Sequence, residues 1–246
     1  MEALPNAETV RESTSSSGLI PVAFPKVWSQ SHKGVSVEYI HDESGAKKWF
    51  LFRASYGRED KAADILLSMN IYAYVPRRKE VVEVNGRPKK VLKNLIPNFV
   101  FAYLTDKEAA YYVRGPEPDD AEFGQKTAEE RRDIFTLSGI ITYYYDHFHT
   151  VGGKNPPLII PAAQMNNLIL ATSTQNENLL VLEAAGQSVD FNFKSEEAVE
   201  VIAGEFKGVK GKVIRARRQQ RILIELSGFA LLATAYVPSA YLRKIV

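Results

Sequence analysis

Hydrophobic and polar positions alternate with the periods of strands and helices from Lys47 onward. The apolar run 49–52, Trp-Phe-Leu-Phe, predicts a buried strand that ends near Tyr56-Gly57. A helix should follow, since Glu59 and Asp60 are acidic residues suited to a first turn. Its apolar face comprises Ala62, Ile65, Leu66 and Met69. The chain therefore begins its ordered part with a strand and a helix.

Two extended segments and a second helix come next. The β-branched segments 71–84 and 88–104 are separated by Asn85-Gly86, the strongest short signal for a hairpin. Thr105 and Glu108 form a capping box that predicts the second helix, ending near Gly115. The polar, mostly acidic segment 116–133 predicts an inserted loop, and residues 139–145 predict a further strand. This order of elements is that of a ferredoxin-like α/β sandwich.

The C-terminal part has a different pattern. Short apolar runs from Ala198 onward are separated by glycines and Pro238, a spacing that favours a small β-barrel. The predicted fold class is therefore α+β. We expect a flexible extension over 1–46, an N-terminal domain over 47–174, a linker over 175–194 and a barrel over 195–246.

Composition limits the possible functions. The 246 residues suffice for two modest domains, and 45% hydrophobic with 24% charged residues is typical of folded protein. Cys is absent, which excludes disulfides and thiolate metal sites and favours a reducing compartment. No secretory signal or membrane-spanning run is present, so we expect a cytoplasmic protein that does not enter a membrane.

Two separated regions resemble the NusG family of transcription elongation factors. The first includes Trp49-Phe50-Leu51, Tyr74-Val75-Pro76-Arg77 and the segment 95–101, Leu-Ile-Pro-Asn-Phe-Val-Phe. The second, residues 204–213, resembles the KOW motif of the family's C-terminal, SH3-like barrel. The insertions and the segment 233–238 are most similar to the specialised UpxY-like antiterminators of capsular polysaccharide loci. One departure is Asn98, where the family usually has glycine; Asn tolerates positive φ better than most residues.

The resemblance implies a function in transcription. Family members bind the clamp helices of RNA polymerase core through an apolar hollow of the N-terminal domain and promote processive transcription or antitermination, here of specific operons such as polysaccharide loci. No catalysis and no cofactor are implied. The candidate polymerase-binding residues are Phe50, Arg58, Ile96, Phe99, Ile141 and Tyr143. The barrel would bind ribosomal protein S10 or Rho, with candidate residues Arg215, Arg217 and Phe229. Arg215 and Arg217 alternate with Ile214 and Ala216, so they should project from one strand to solvent, joined by Arg218 and Arg221 at the next turn.

Basic residues cluster around the predicted hairpin although the net charge is only +2. Clustered cations face phosphates in many nucleic-acid-binding proteins, but Lys and Arg also protect exposed strand edges. Non-template DNA and nascent RNA are the candidate ligands. The candidate contacts are Arg77, Arg78, Arg87, Lys89 and Lys90.

Two other functions are compatible with parts of the sequence. KOW motifs also occur in RNA-binding and ribosome-associated proteins, so the C-terminal region alone allows that alternative. His147 and His149 are two residues apart on a predicted strand, where both would face one side and bind a metal in a hydrolase. No third ligand is evident in the sequence, and no metal site is predicted.

Overall fold

The computed structural model describes residues 45–184, 187–188 and 191–245, together with the backbone of 22–25 and 37–40. The strands are β1 Val22–Pro25, β2 Val37–Ile40, β3 Lys48–Ala54, β4 Ala73–Tyr74, β5 Arg77–Val84, β6 Arg87–Asn94, β7 Phe99–Leu104, β8 Ile141–Tyr143, β9 Ile159–Ile160, β10 Leu180–Ala184, β11 Gln187–Ser188, β12 Phe191–Val201, β13 Lys210–Ala216, β14 Gln219–Leu226, β15 Ala230–Ala233 and β16 Leu242–Lys244. The helices are α1 Glu59–Ser68, α2 Asp106–Arg114, α3 Ala121–Gln125, α4 Ala128–Ile140 and α5 Ala162–Ser173.

The N-terminal domain is built on an antiparallel sheet with the strand order β4-β7-β3-β8, and β9 also pairs with β3. Numbered by their place in the predicted strand-helix-strand-strand-helix-strand motif, these strands lie in the order 2-3-1-4. This is the ferredoxin-like order, so the prediction of a mixed α/β domain is confirmed. Residues of β3 alternate between two faces, and β7 is buried along its whole length.

Helices cover one face of this sheet. Phe50, Phe52 and Val100 pack on this side against residues of α1, α2 and α4 that include Leu66, Ala109 and Leu137. The Thr105–Glu108 capping box predicted for α2 is present, with both of its reciprocal hydrogen bonds. Because side chains alternate between the two faces along β3 and β7, the opposite face carries Trp49, Leu51, Phe99 and Phe101.

Strands β5 and β6 form a separate two-stranded hairpin. Asn85 and Gly86 in its turn have φ values of 53° and 72°, as a two-residue type I′ turn requires. The predicted hairpin is therefore confirmed. Asn98 also has a positive φ, 67°, at the position where the family usually has glycine.

The prediction of a loop over 116–133 is wrong. This segment contains α3 and the first turns of α4. Because α4 extends through Gly139, the following strand is shortened to Ile141–Tyr143. Asp120 caps α3, and Thr127 with Glu130 forms a capping box at α4. The acidic composition that suggests a loop instead supplies helix N-termini, where negative charge is stabilising.

The C-terminal region forms a seven-stranded antiparallel sheet with the order β11-β10-β15-β14-β13-β12-β16. Its described hydrogen bonds leave β11 and β16 as edges, so the predicted SH3-like KOW barrel is not confirmed. Strands β10 and β11 lie inside 175–194, where we expected a linker. Within the predicted extension 1–46, β1 and β2 pair with each other, and the remaining residues up to 44 lie outside the described ones.

The N-terminal and C-terminal sheets share one hydrophobic core. The face of the N-terminal sheet opposite α1, α2 and α4 packs on α5 and on the C-terminal sheet in a continuous cluster of buried side chains. Its members include Trp49, Leu51, Phe99, Phe101, Met165, Leu168, Phe206, Val209, Ile222, Ile224 and Phe229. This packing decides which of the predicted site residues are accessible.

Candidate functional site

The centre of the shared core is a cluster of four aromatic rings. The ring of Phe229 lies 4.8 Å from that of Phe99, 5.5 Å from Tyr144 and 6.0 Å from Phe101, centroid to centroid, each in an edge-on arrangement. Phe99 and Tyr144 are themselves 5.5 Å apart. Phe99 is 4% exposed and Phe229 is 8% exposed. The apolar face predicted to bind a partner is thus covered by the protein's own C-terminal region.

The turn between β14 and β15 brings Phe229 to this face. Gly228 has a φ of 76°, which side chains rarely tolerate, and a Cβ there would lie 3.0 Å from a methyl carbon of Leu158. The Phe229 amide donates to the Leu226 carbonyl over 2.9 Å and closes the turn. Because no side chain intervenes at Gly228, the turn approaches the N-terminal domain closely.

Helix α5 fastens the C-terminal sheet through two amide side chains. Gln164 donates to Ser227 Oγ over 2.6 Å and accepts from the Ser227 amide over 2.8 Å. Asn167 donates to the Lys210 carbonyl and accepts from the Lys210 amide, both over 2.9 Å. These paired hydrogen bonds fix the position and the orientation of the C-terminal sheet relative to α5, beside the aromatic cluster.

The predicted polymerase-binding residues lie in three places. Ile96 and Phe99 belong to the covered face, whereas Phe50, Ile141 and Tyr143 pack on the side of the helices. Arg58 precedes α1, with its guanidinium 5.4 Å from the ring centre of the exposed Tyr56. The structure therefore does not bring these residues into one surface.

Sequence reasoning missed Phe101 and the two amide side chains of α5 beside the cluster. Phe101 follows Phe99 by two residues and so shares its face, a relation that the strand period alone would have given. Gln164 and Asn167 carry no comparable signal. They are polar residues of α5, and their partners Ser227 and Lys210 are distant in sequence.

The basic residues of the β5–β6 hairpin separate into two groups. At its base, Arg77 forms an ion pair with Asp60, and Arg78 donates to the Leu179 carbonyl over 2.8 Å. Toward the turn, Arg87 and Lys89 are exposed, and Lys90 lies 3.1 Å from Glu177 in an exposed ion pair. The basal arginines are therefore bound to other parts of the protein, and the distal residues are exposed to solvent.

Arginines of the C-terminal sheet also differ in their surroundings. Arg215 and Arg217 are exposed, as predicted, while the alternating Ile214 and Ala216 are buried. Arg221 was expected on the same surface but is 3% exposed. Its guanidinium donates to the carbonyls of Ala216, Asn178 and Thr234. Burial lowers the pKa of this group, and the nearby Arg217 charge adds to the effect.

The two histidines considered as metal ligands have other partners. The His149 ring lies 2.7 Å from the Asp146 carboxylate, and His147 packs edge-on against Tyr144. The Phe148 amide donates to Asp146 and lowers the pKa of its carboxyl, and the His149 ring acts in the same direction. In the described part of the chain, no three potential metal ligands come together.

A protein-family model described as "Transcription termination factor nusG" matches residues 47–169, half of the chain. The chain belongs to the NusG family. Members of this family are non-enzymatic transcription factors that typically bind RNA polymerase, so this NusG-family protein is a transcription factor of the elongation and antitermination type. A search of curated proteins found no match. Among the described residues, no helix has the length and apolar character needed to cross a membrane.

Proposed function

We propose that this NusG-family protein binds RNA polymerase core through the apolar face around Phe99 and Ile96 and promotes processive transcription. The family match over 47–169 supports a polymerase ligand. The observation that carries the proposal is the aromatic cluster of Phe99, Phe101 and Tyr144, an apolar surface of the kind that accommodates a helix pair.

Polymerase and the C-terminal sheet compete for this face. Phe229 occupies the centre of the cluster, so a clamp helix contacts Phe99 only after the β14–β15 turn has moved away. The apparent affinity for polymerase is then reduced by the fraction of molecules in the open arrangement. Changes that weaken the covering contact should raise polymerase binding without adding any contact to polymerase.

Capture of RNA polymerase core by the full-length protein tests the proposal. Phe229→Ala removes a ring that holds the closed arrangement, and core Phe→Ala changes cost about 3–5 kcal/mol, so capture should increase strongly. Phe99→Asp disrupts the cover as well but places a charge on the polymerase-binding face, so capture should fall.

Phe135→Ala is the matched control, because it removes an exposed ring from α4 on the helical side of the sheet. Its capture should equal that of the wild type. Circular dichroism must show that all variants are folded. Equal capture by Phe99→Asp and wild type would place the polymerase contact elsewhere, and a loss of capture by Phe229→Ala would contradict competition.

Recruitment to specific operons is a finer part of the proposal. The helical insertion α3–α4 and the segment 233–238 support the similarity to UpxY-like antiterminators of polysaccharide loci. Sequencing the nascent transcripts in polymerase complexes captured by this protein would identify the operons. Transcripts distributed evenly over all operons would contradict a specialised role.

Docking of ribosomal protein S10 or Rho on the C-terminal region stays a prediction. Of its candidate residues, Arg215 and Arg217 are exposed and Phe229 is buried on the N-terminal sheet. A partner that needs Phe229 would therefore bind better once the two sheets have separated. Comparing S10 and Rho binding by wild type and Arg215→Glu would show whether this surface is used.

A further inference from the structure

We propose that a cleft on the C-terminal sheet binds single-stranded RNA. The cleft encloses about 620 Å³ at the end of β12, β13 and β14 that carries the Arg217-Arg218 turn. Its walls include Phe193, Lys194, Arg215, Arg218, Gln219 and Tyr236. None of these side chains belongs to the shared core around Phe99, so the cleft is open while the apolar face is covered. This proposal goes beyond polymerase binding and is tested without polymerase.

The described lining of the cleft is positively charged. Three of the lining residues, Lys194, Arg215 and Arg218, are cationic, and none of the described lining residues is acidic. The described structure gives Arg215 and Arg218 no ion-pair partner. Unneutralised cations around a concave surface attract a phosphate backbone and release its counterions on binding.

The turn at the edge of the cleft has an unusual sequence for its conformation. Arg217 and Arg218 have φ values of 49° and 62°, the type I′ geometry that the β5–β6 turn achieves with Asn85-Gly86. Arginine carries a steric cost in this region that Asn-Gly avoids. The same chain thus uses a favourable pair in one hairpin and a costly pair in the other. Residues held in such unfavourable backbone conformations cluster at functional sites.

Two exposed aromatic rings complete the cleft. Phe193 is 54% exposed and Tyr236 is 56% exposed. Lys212 places its ammonium 6.0 Å from the centre of the Phe193 ring. Aromatic side chains in a cationic groove are the arrangement on which unstacked bases bind, and a duplex keeps its bases inaccessible to them. This favours a single strand.

Gln220 holds the walls in place. Its side-chain nitrogen donates to the Val237 carbonyl over 2.9 Å and to Ser239 Oγ over 3.1 Å, and its side-chain oxygen accepts from Lys194. The backbone amide of Val237 donates back to the backbone carbonyl of Gln220 over 3.2 Å. Tyr236 therefore belongs to a segment whose backbone is held in place before binding, which reduces the entropic cost of ordering that segment.

Gln219 favours RNA over DNA. Its side-chain oxygen accepts from Arg221 over 2.8 Å, which orients the amide at the cleft and leaves its nitrogen as a donor. A ribose 2′-hydroxyl accepts such a hydrogen bond, and deoxyribose has no equivalent group. The expected ligand is therefore a short unpaired stretch of RNA, such as a nascent transcript.

The test is fluorescence anisotropy of the full-length protein with labelled oligouridine about 12 nucleotides long, within the usual range for one small β-domain. Oligodeoxyuridine of equal length, an RNA duplex and a polyglutamate peptide are the comparison ligands. Oligouridine should bind most tightly. Equally tight deoxyuridine binding would overturn the assignment to RNA, and tighter peptide binding would make the cleft a site for acidic protein segments.

Variants separate charge from stacking. Arg215→Gln with Arg218→Gln should weaken RNA binding and lower the slope of log affinity against log salt by about 1.4, two contacts of about 0.7 each. Phe193→Ala and Tyr236→Ala should each weaken binding by roughly fivefold to a hundredfold with an unchanged slope. Lys61→Gln with Lys107→Gln, two exposed lysines on α1 and α2, is the charge-matched control and should bind as the wild type does. An equal loss in that control would overturn the location of the site.

One further variant distinguishes binding from folding. Arg217→Asn with Arg218→Gly installs the Asn-Gly pair of the first hairpin, so the melting temperature should stay the same or rise. RNA binding should nevertheless fall, because the variant removes Arg218 from the wall of the cleft. A stable protein that binds oligouridine as tightly as the wild type would overturn the proposal.

Discussion

Phe99 and Phe229 face each other edge-on, with ring centroids 4.8 Å apart. The family resemblance implies a different external partner for each ring, polymerase for Phe99 and a C-terminal ligand for Phe229. In the structure each ring is buried by the other. The two predicted binding functions are therefore linked, because uncovering one ring uncovers its partner as well.

The hydrogen bonds between α5 and the C-terminal sheet should control how often the N-terminal and C-terminal sheets separate. Asn167→Asp replaces the amide donor with a carboxylate beside the Lys210 carbonyl, where the Asn167 nitrogen now lies at 2.9 Å. Loss of this bond and the new repulsion should weaken the contact by about 1–3 kcal/mol. Hydrogen exchange at the backbone of β7 and of the β14–β15 turn should become faster. Asn167→Ala should give a smaller effect, and unchanged exchange in both variants would show that α5 does not hold the sheets together.

The distal hairpin charges should act on nucleic acid without contributing to polymerase capture. Arg87→Glu with Lys89→Glu reverses two exposed charges and leaves the structural Arg77 and Arg78 intact. We expect reduced pause suppression in an elongation time course and a flatter salt dependence. Lys61→Glu with Lys107→Glu, two exposed lysines on α1 and α2, is the charge-matched control. Loss of polymerase capture in the hairpin variant would mean that the hairpin binds the polymerase protein.

Buried Arg221 should be far more important for stability than an exposed arginine. Arg221→Met leaves the carbonyls of Asn178 and Thr234 without this donor, at about 1–3 kcal/mol for each unsatisfied group. Thermal unfolding should therefore shift down by several degrees. Arg243→Met removes an exposed arginine paired with Glu200, and its effect should stay below about 1 kcal/mol. Equal melting temperatures would contradict a structural role for Arg221.

Two glycines with opposite surroundings give a further comparison. A Cβ at Gly211 would lie 1.9 Å from the Leu223 carbonyl oxygen, so Gly211→Ala must push β13 and β14 apart. A Cβ at Gly139 in α4 would meet nothing within 4 Å, and Gly139→Ala should stabilise the helix by up to about 1 kcal/mol. Urea unfolding of both variants checks this. A Gly211→Ala protein as stable as the wild type would show that the two strands separate easily there.

Local features of the sequence determined several elements without help from the rest of the fold. Asn85-Gly86 specified a turn because few other residues adopt positive φ there, and Thr105 with Glu108 specified the start of α2. The alternation around Arg215 correctly placed it outside and Ile214 inside. Each of these outcomes depends on residues within one turn or one strand, whose geometry is fixed by backbone sterics and hydrogen bonding.

The tertiary structure alone decided which surfaces were covered. Phe50 and Phe99 are both apolar strand residues, yet they pack on opposite faces of one sheet, and only the position of the C-terminal sheet buries Phe99. Arg221 and Arg217 belong to the same basic segment of the sequence, but Arg221 lies where backbone carbonyls from three different parts of the chain converge. The hydrophobicity or charge of a side chain determines whether it favours an apolar or a polar environment. The packing of distant segments decides which residues provide that environment, because the hydrophobic effect has no preferred direction or partner.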